Sequence, residues 1–299
     1  MDTKTAMITL TGRPNAGKST LINALTGEKI AIVTHKPQTT RGRIFGVVNR
    51  GGTQLVFADT PGFHSAKTRL DDHMADIVRR SMDGVDAVAL IVEPVAGVGD
   101  PERRILERVA SADTPALLII NKIDTVKKES LLGVIAAYAD YYEFDSIIPV
   151  SAKYGDGLDG LLTVFEGYAT EGPALFPKGM VTDQSDSAIV AELVREKLLF
   201  CLAHEVPHGT AVEITRFAER DDGIIDVEAT IYCEKESHKA IIIGKNGEML
   251  KKIGSLARAD IERFMGAGVF LKTWVRVKAG WRDSGALIGE LGYPDARAD

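Results

Sequence analysis

The stretch Gly12-Arg13-Pro14-Asn15-Ala16-Gly17-Lys18-Ser19 fits the pattern G-x-x-x-x-G-K-[S/T] without a mismatch. It commits the start of the chain to a strand, a tight loop and a helix. The apolar run from Ala6 to Leu10 reads as the strand, and Lys18 to Leu25 reads as the helix, with Leu21, Ile22 and Leu25 facing inward. Backbone N–H groups of such a loop converge on one spot beside a helix N-terminus and favour negative charge there, so the expected occupant is the phosphate chain of a nucleotide. The cradle is expected to run from Asn15 through Ala16, Gly17, Lys18 and Ser19 to Thr20. Lys18 would reach the β- and γ-phosphates, and the Ser19 hydroxyl would ligate Mg²⁺.

The polar segment Ala31 to Arg43 reads as a surface loop and contains Thr39 and Thr40. A hydroxyl there can complete a Mg²⁺ shell when a γ-phosphate is present; Thr40 is favoured, with Thr39 as the alternative. The runs Ile44 to Val48 and Gln54 to Ala58, joined by Asn49-Arg50-Gly51-Gly52, predict a β-hairpin. It ends in Asp59-Thr60-Pro61-Gly62, where Asp59 can hold the metal through water and the Gly62 N–H can reach the γ-phosphate. Lys18, Thr40 and Gly62 are the residues expected to act in catalysis.

Three further alternations follow: a strand at Ala87 to Val92 with a helix after Asp100, one at Ala116 to Ile120 with a helix after Val126, and one at Ile147 to Val150 with a helix over Leu158 to Tyr168. Apolar strands alternating with amphipathic segments require a mostly parallel sheet with helices on both faces. Asn121-Lys122-Ile123-Asp124 offers a carboxylate to the ring N–H and exocyclic amine of guanine, and Ser151-Ala152-Lys153 offers a backbone N–H to its carbonyl. Guanine is expected, not adenine.

A chain of 299 residues suggests two domains. The balance of 36 Lys+Arg against 42 Asp+Glu excludes a globally basic nucleic-acid binder, so any basic surface must be local. No apolar run is long enough to span a membrane, and the first strand begins within a few residues, so a cytoplasmic protein without a leader is expected. Cys201 and Cys233 carry no metal-ligand spacing and are read as packing residues in a reducing compartment.

The expected division is 1–170, a linker over 171–186 rich in Pro and Gly, and 187–299. The second part opens with a helix over Ala188 to Leu202, capped by Ser185 or Asp186, followed by strands at Val212 to Phe217 and Ile224 to Cys233. His204-Glu205-Val206-Pro207-His208 matches a zinc-protease signature, but Pro207 forbids the continuous helix that motif needs, and a loop is expected. Further on, an apolar turn at Ala240 to Ile243 leads into Gly244-Lys245-Asn246-Gly247 and a basic helix carrying Lys251 and Lys252, then a strand at Val269 to Val277. A G-x-x-G loop lets a nucleic-acid backbone approach closely. From Lys239 to Arg282 there are ten basic residues against three acidic ones, the footprint of a phosphate-binding surface. Trp281 lies among those basic residues, where its ring could stack on a base or pack; Trp274, on the strand, is expected in the core.

GRPNAGKS, the Thr pair, DTPG, NKID and SAK together resemble a translation-factor-type GTPase, and the G-x-x-G segment resembles a KH module. With KPQTTR, the T-D-x-S element, I-I-I-G-x-x-G and the closing G-W and L-G-Y, the whole chain resembles the Era family of bacterial ribosome-assembly GTPases. The resemblance implies an α/β P-loop GTPase domain followed by a smaller α+β KH domain of type II. It also implies binding of GTP or GDP with Mg²⁺, and of the 3′ end of small-subunit ribosomal RNA in the GTP form, with release on hydrolysis. A monomer that associates peripherally with the inner membrane is implied too. Phe63 stands where Ras-like members carry the glutamine that orients water, so slow intrinsic turnover is expected. Similar GTPases with asparagine at the position of Asn15 use it to hold K⁺; Asn15 could equally serve the turn geometry alone. Two other readings remain: a membrane signalling switch whose KH-like domain binds a protein, and an RNA-binding protein whose nucleotide site is structural.

Overall fold

The computed structural model describes residues 3–36, 39–62, 68–204, 206–291 and 293. The chain divides into two units, one of residues up to 183 and one of residues from 184, which also takes in two short excursions of the chain, around residues 32–36 and 68–73.

In the first unit the elements run β1 (Lys4–Gly12), α1 (Lys18–Thr26), β2 (Ile44–Arg50), β3 (Thr53–Asp59), α2 (Arg69–Arg80), β4 (Ala87–Val92), α3 (Asp100–Ser111), β5 (Ala116–Ile120), α4 (Lys128–Ala139), β6 (Ser146–Pro149), α5 (Leu158–Glu166) and β7 (Thr170–Glu171). The sheet order is β2-β3-β1-β4-β5-β6, all neighbours parallel except the β2–β3 hairpin. The central strands are apolar on both sides because helices cover both. Ala87, Ala89 and Ile91 of β4 pack with Leu21, Ile22 and Phe165, while Val88, Leu90 and Val92 pack with Ile105, Leu106 and Val134. Parallel strands sandwiched in this way place their C-terminal ends, and the loops that follow, along one edge where ligands bind.

Two features differ from the sequence reading. Helix α2 was not anticipated. Residues of the stretch 171–186, expected to be linker, hydrogen-bond back to this unit: Glu171 of β7 pairs antiparallel with Lys4 of β1, the Gln54 amide donates to the Phe176 carbonyl and accepts its N–H, and the Val47 N–H donates to the Val181 carbonyl.

The second unit comprises α6 (Asp186–Cys201), β8 (Ala211–Glu219), β9 (Ile225–Cys233), α7 (Glu236–Ile243), α8 (Glu248–Met265), β10 (Val269–Val277) and α9 (Gly285–Glu290). Its sheet has the order β10-β9-β8, with β9 and β10 parallel and β8 antiparallel to β9. Val227, Ala229 and Ile231 pack against Leu193, Val194 and Leu198 of α6 and against Ile253, Ala257 and Ile261 of α8, so the helices cover one face of the sheet. Ser185 caps α6 by accepting the Ala188 N–H. The Ala240–Ile243 stretch, expected as a turn, is the last turn of α7. Pro207–Gly209 forms a single 3₁₀ turn, as the proline requires, and no metal-ligating cluster of His, Cys, Asp or Glu occurs among the described residues.

Trp274, expected in the core, lies outside it, and of the two roles open to Trp281 the structure supports packing. Trp274 points off the uncovered face of the sheet and is 55% exposed, whereas Trp281 is fully buried, its indole N–H donating to the Gly209 carbonyl at 3.0 Å and its ring stacked on Tyr293. Trp281 is therefore not a base-stacking residue in this structure: it is a brace between the end of the chain and the turn before β8. Trp281→Phe keeps a ring but leaves a buried carbonyl without its donor, and should lower stability by about 1–3 kcal/mol, read as a drop in midpoint in denaturant unfolding.

Candidate nucleotide site and nucleic-acid groove

The loop after β1 is built from residues in the left-handed region. Asn15 and Gly17 have φ of 66° and 99°, and Gly12, at φ 146°, is pressed so closely against β4 that an added Cβ would lie 2.2 Å from the Ile91 carbonyl oxygen. Gly17 is equally confined, since its Cβ would fall 2.2 Å from the Asn121 amide nitrogen. That amide donates to the Ala16 carbonyl at 3.0 Å, and its oxygen accepts the Ala152 N–H at 3.0 Å. Asn121 thus ties the phosphate loop to the loops after β5 and β6. Arg13 is fixed from outside by Glu102 of α3, a nearly buried carboxylate 2.6 Å from its guanidinium.

Lys18 is 5% exposed, and its ammonium donates to the Gly12 and Arg13 carbonyls at 3.1 and 3.0 Å. Burial pushes its pKa down to about 8, against the opposing pull of Asp59. Beside it the Ser19 hydroxyl lies 2.9 Å from the Thr40 hydroxyl and donates to Asp59 Oδ2 at 2.9 Å; Thr40 donates to the same oxygen at 3.4 Å. Asp59 is fully buried, burial raises its pKa, and its Oδ1 has no hydrogen-bond partner. Two hydroxyls and a carboxylate with an unsatisfied buried oxygen form a hard, all-oxygen donor set that fits Mg²⁺. Gly62 packs its backbone on the phosphate loop, where a Cβ would stand 2.8 Å from the Pro14 nitrogen.

After β5, Asp124 is exposed and its Oδ1 accepts the Ser151 hydroxyl at 2.6 Å. Of the backbone N–H groups of Ser151-Ala152-Lys153, that of Ala152 is used by Asn121. Lys122, at φ 63°, pairs with Glu93, and Lys153 lies over the Tyr154 ring at 4.7 Å. Phe63 lies outside the described residues.

In the second unit, Gly244, Asn246 and Gly247 have φ of 72°, 52° and 79°. A Cβ on Gly244 would lie 2.6 Å from that of Met249, so the loop closes tightly onto α8. Beside it runs a groove of about 400 Å³ lined by Gly247, Leu250, Lys251, Gly254 and Arg258 of the loop and helix and by Leu271 and Thr273 of β10. An apolar floor, small residues at the entrance and cations along one wall suit unstacked bases whose phosphates stay at the rim. Lys245 is exposed at the loop tip; Lys252 does not line the groove, and its charge acts on the Cys201 thiol instead.

Residues 7–122 match the family model described as 50S ribosome-binding GTPase, and residues 205–282 match that of the KH domain. The GTPase Era of Ruminiclostridium cellulolyticum is 47% identical over 293 residues, 98% of each chain. That of Caldanaerobacter subterraneus subsp. tengcongensis is 45% identical over 291 residues, 97% of this chain and 98% of the relative. Among solved structures, Era in complex with MgGDPNP and nucleotides 1506–1542 of 16S ribosomal RNA superposes with a TM-score of 0.93 at 34% identity, covering 97% of this chain and 99% of that one. An Aquifex aeolicus Era variant bound to GDP and aluminium fluoride gives 0.92, also at 34% identity and with the same coverage. The chain belongs to the Era family of GTPases.

Several parts of this Era-family site escaped the sequence reading. Glu102 was invisible because its partner lies 89 residues away. Leu250, Gly254 and Arg258 could have been found, since their spacing puts them on one face of a helix. The depressed Lys18 pKa has a measurable consequence. Between pH about 8 and its ordinary 10.5, the folded protein without nucleotide holds this amine neutral while the unfolded chain keeps the proton, so its contribution to stability rises with pH across that window. Phosphates must then draw a proton onto Nζ. GDP affinity should therefore fall by about tenfold between pH 7 and 9, with proton uptake seen calorimetrically in buffers of different ionisation enthalpy; affinity flat over that range would contradict the assignment.

Proposed function

We propose that this protein is a GTP-binding and GTP-hydrolysing switch that binds the 3′ end of small-subunit ribosomal RNA during assembly of the small ribosomal subunit. The observation that carries the reading is the pairing, in one chain, of a complete guanine-nucleotide site with a G-x-x-G groove that has an apolar floor and a basic wall. Support comes from the solved Era structure that holds both a GTP analogue with magnesium and 16S ribosomal RNA.

The nucleotide residues divide the work. Asn15, Ala16, Gly17, Lys18, Ser19 and Thr20 cradle the phosphates. Asp124 accepts from guanine, while Asn121, Lys122, Ser151, Ala152 and Lys153 shape the base pocket. Ser19, Thr40 and Asp59 would hold Mg²⁺, which when bound neutralises charge building on the phosphates. Lys18 and the Gly62 N–H would meet the phosphate oxygens, hold the γ-phosphoryl group in position and offset the negative charge that builds toward the leaving group. Thr40 links metal occupancy to the conformation of its loop, because its hydroxyl already sits on Asp59.

For RNA, Gly244, Lys245, Asn246 and Gly247 clamp the backbone, and Lys251 holds phosphate at the groove wall. The protein works in the cytoplasm as a monomer; no described helix is long and apolar enough to cross a membrane, so inner-membrane association would be at the surface.

RNA copying the rRNA 3′ end should bind more tightly to protein loaded with a non-hydrolysable GTP analogue than to the GDP form, and Lys245→Asp should abolish the difference. Equal affinity in both nucleotide states would separate the switch from RNA binding. If Asn15 holds K⁺, hydrolysis should run faster in potassium than in sodium, and Asn15→Ala should remove that preference; equal rates in the two salts leave Asn15 with the turn alone.

A further inference from the structure

The outer face of the C-terminal sheet, opposite α6 and α8, has no role in either site. Residues alternate along β10: Leu271 and Thr273 line the groove, while Phe270, Lys272, Trp274 and Arg276 point to the other side. Phe270 is 46% and Trp274 55% exposed, large rings that no helix covers. They sit four residues apart on one strand, about 13 Å from ring to ring along the chain. An exposed pair of this size is costly to keep in water unless it meets a ligand.

The surroundings state which ligand. The Arg220 guanidinium lies 4.9 Å and the Lys272 ammonium 5.4 Å from the Phe270 ring centroid, and Lys278 lies 5.2 Å from that of Tyr232. Three of the carboxylates at this face have partners in place: Asp226 pairs with Arg216 and Arg220, Glu228 with Lys272, and Glu213 accepts the Tyr232 hydroxyl, while Lys278 pairs with Glu290. A small pocket of about 80 Å³ opens beside Phe270, lined by Arg216, Arg220 and Lys272 and by Asp226 and Glu228. Aromatic rings interleaved with cations are the chemistry of single-stranded nucleic acid, where rings stack on bases and cations meet phosphates. A protein partner would be met by an apolar centre with a polar rim, whereas here the cations sit against the rings themselves.

We propose that this face is a second RNA-contacting surface, on which Phe270 and Trp274 stack on unpaired bases while Lys272, Arg276 and Arg220 hold the phosphates. β10 is an edge strand, so one RNA can lie in the groove against Leu271 and Thr273 and continue around that edge onto the platform. The inference rests on RNA being the ligand of the groove.

The chain holds only two tryptophans, and Trp281 is buried, so fluorescence accessible to quenchers reports Trp274. The full-length protein, loaded with a non-hydrolysable GTP analogue, is titrated with an RNA carrying the rRNA 3′ end and single-stranded extensions on both sides. Stacking should quench Trp274 emission and shield it from acrylamide. Phe270→Ala and Trp274→Ala should each weaken binding of the extended RNA about fivefold or more, with little effect on the minimal 3′ end, and Trp274→Tyr should restore most of the affinity. Arg276→Ala should lower the salt dependence of binding by about one phosphate contact. Circular dichroism checks that each variant is folded. Saturating RNA that leaves Trp274 emission and acrylamide access unchanged would overturn the platform while leaving the groove intact. Shielding of Trp274 without RNA, growing with protein concentration alongside a doubled mass in sedimentation, would assign the face to a second copy instead. Absence of RNA binding altogether would remove both readings.

Discussion

A single buried amide sets the geometry of the nucleotide site. Asn121 donates to the phosphate loop and accepts from the loop after β6, so the part that meets phosphate and the part that meets base are held at a fixed distance. The confinement of Gly17 follows from it, because any side chain there would enter the space of that amide. The Ala152 N–H is committed to the same side chain, so the loop after β6 is held to the loop after β1 through one buried amide.

The phosphate end follows an opposite principle. Lys18, Ser19, Thr40 and Asp59 are buried polar groups whose bonds to one another are substitutes. The ammonium borrows two loop carbonyls, the hydroxyls share one carboxylate oxygen, and the other oxygen has none. Burial disfavours charge on both Lys18 and Asp59, as their shifted pKa values register. A polyphosphate with its metal supplies the opposite charges these groups lack, so the site gains most when the full complex enters.

How much of this could be read in the sequence depended on whether a contact is local. The parallel strands were legible because burial on both faces leaves nothing but apolar runs, and the cradle was legible because its residues are contiguous. Ser19, Thr40 and Asp59 were expected from motif order to gather about one metal ion; their side chains lie within hydrogen-bonding distance of one another. Helix α2 went unread although Leu70, Met74, Ile77 and Val78 recur at helical spacing and are all buried; the signal was present amid six charged residues. Three successive isoleucines before Gly244 suggested an apolar turn, yet they close a helix of which Ile242 alone is buried in the core, an instance of tertiary contact overriding β-branched preference. Trp274 was misplaced for a related reason: burial on a strand depends on which face its register selects.

That register carries functional weight as well as stability. On a half-covered sheet a one-residue slip would exchange the two faces, moving Leu271 and Thr273 out of the groove and driving Phe270 and Trp274 into the helices. The pairing of β10 with β9 is fixed along its length by Val269, Val275 and Val277 packing inward. The same inward residues that fix the core therefore fix which side chains line the groove and which stand on the outer face. A basic, aromatic outer face would be an aggregation liability on an edge strand unless its charges kept other strands away, and Lys272 and Arg276 occupy the positions where such protection is needed. Their placement among the rings serves solubility when the face is bare and phosphate binding when it is covered.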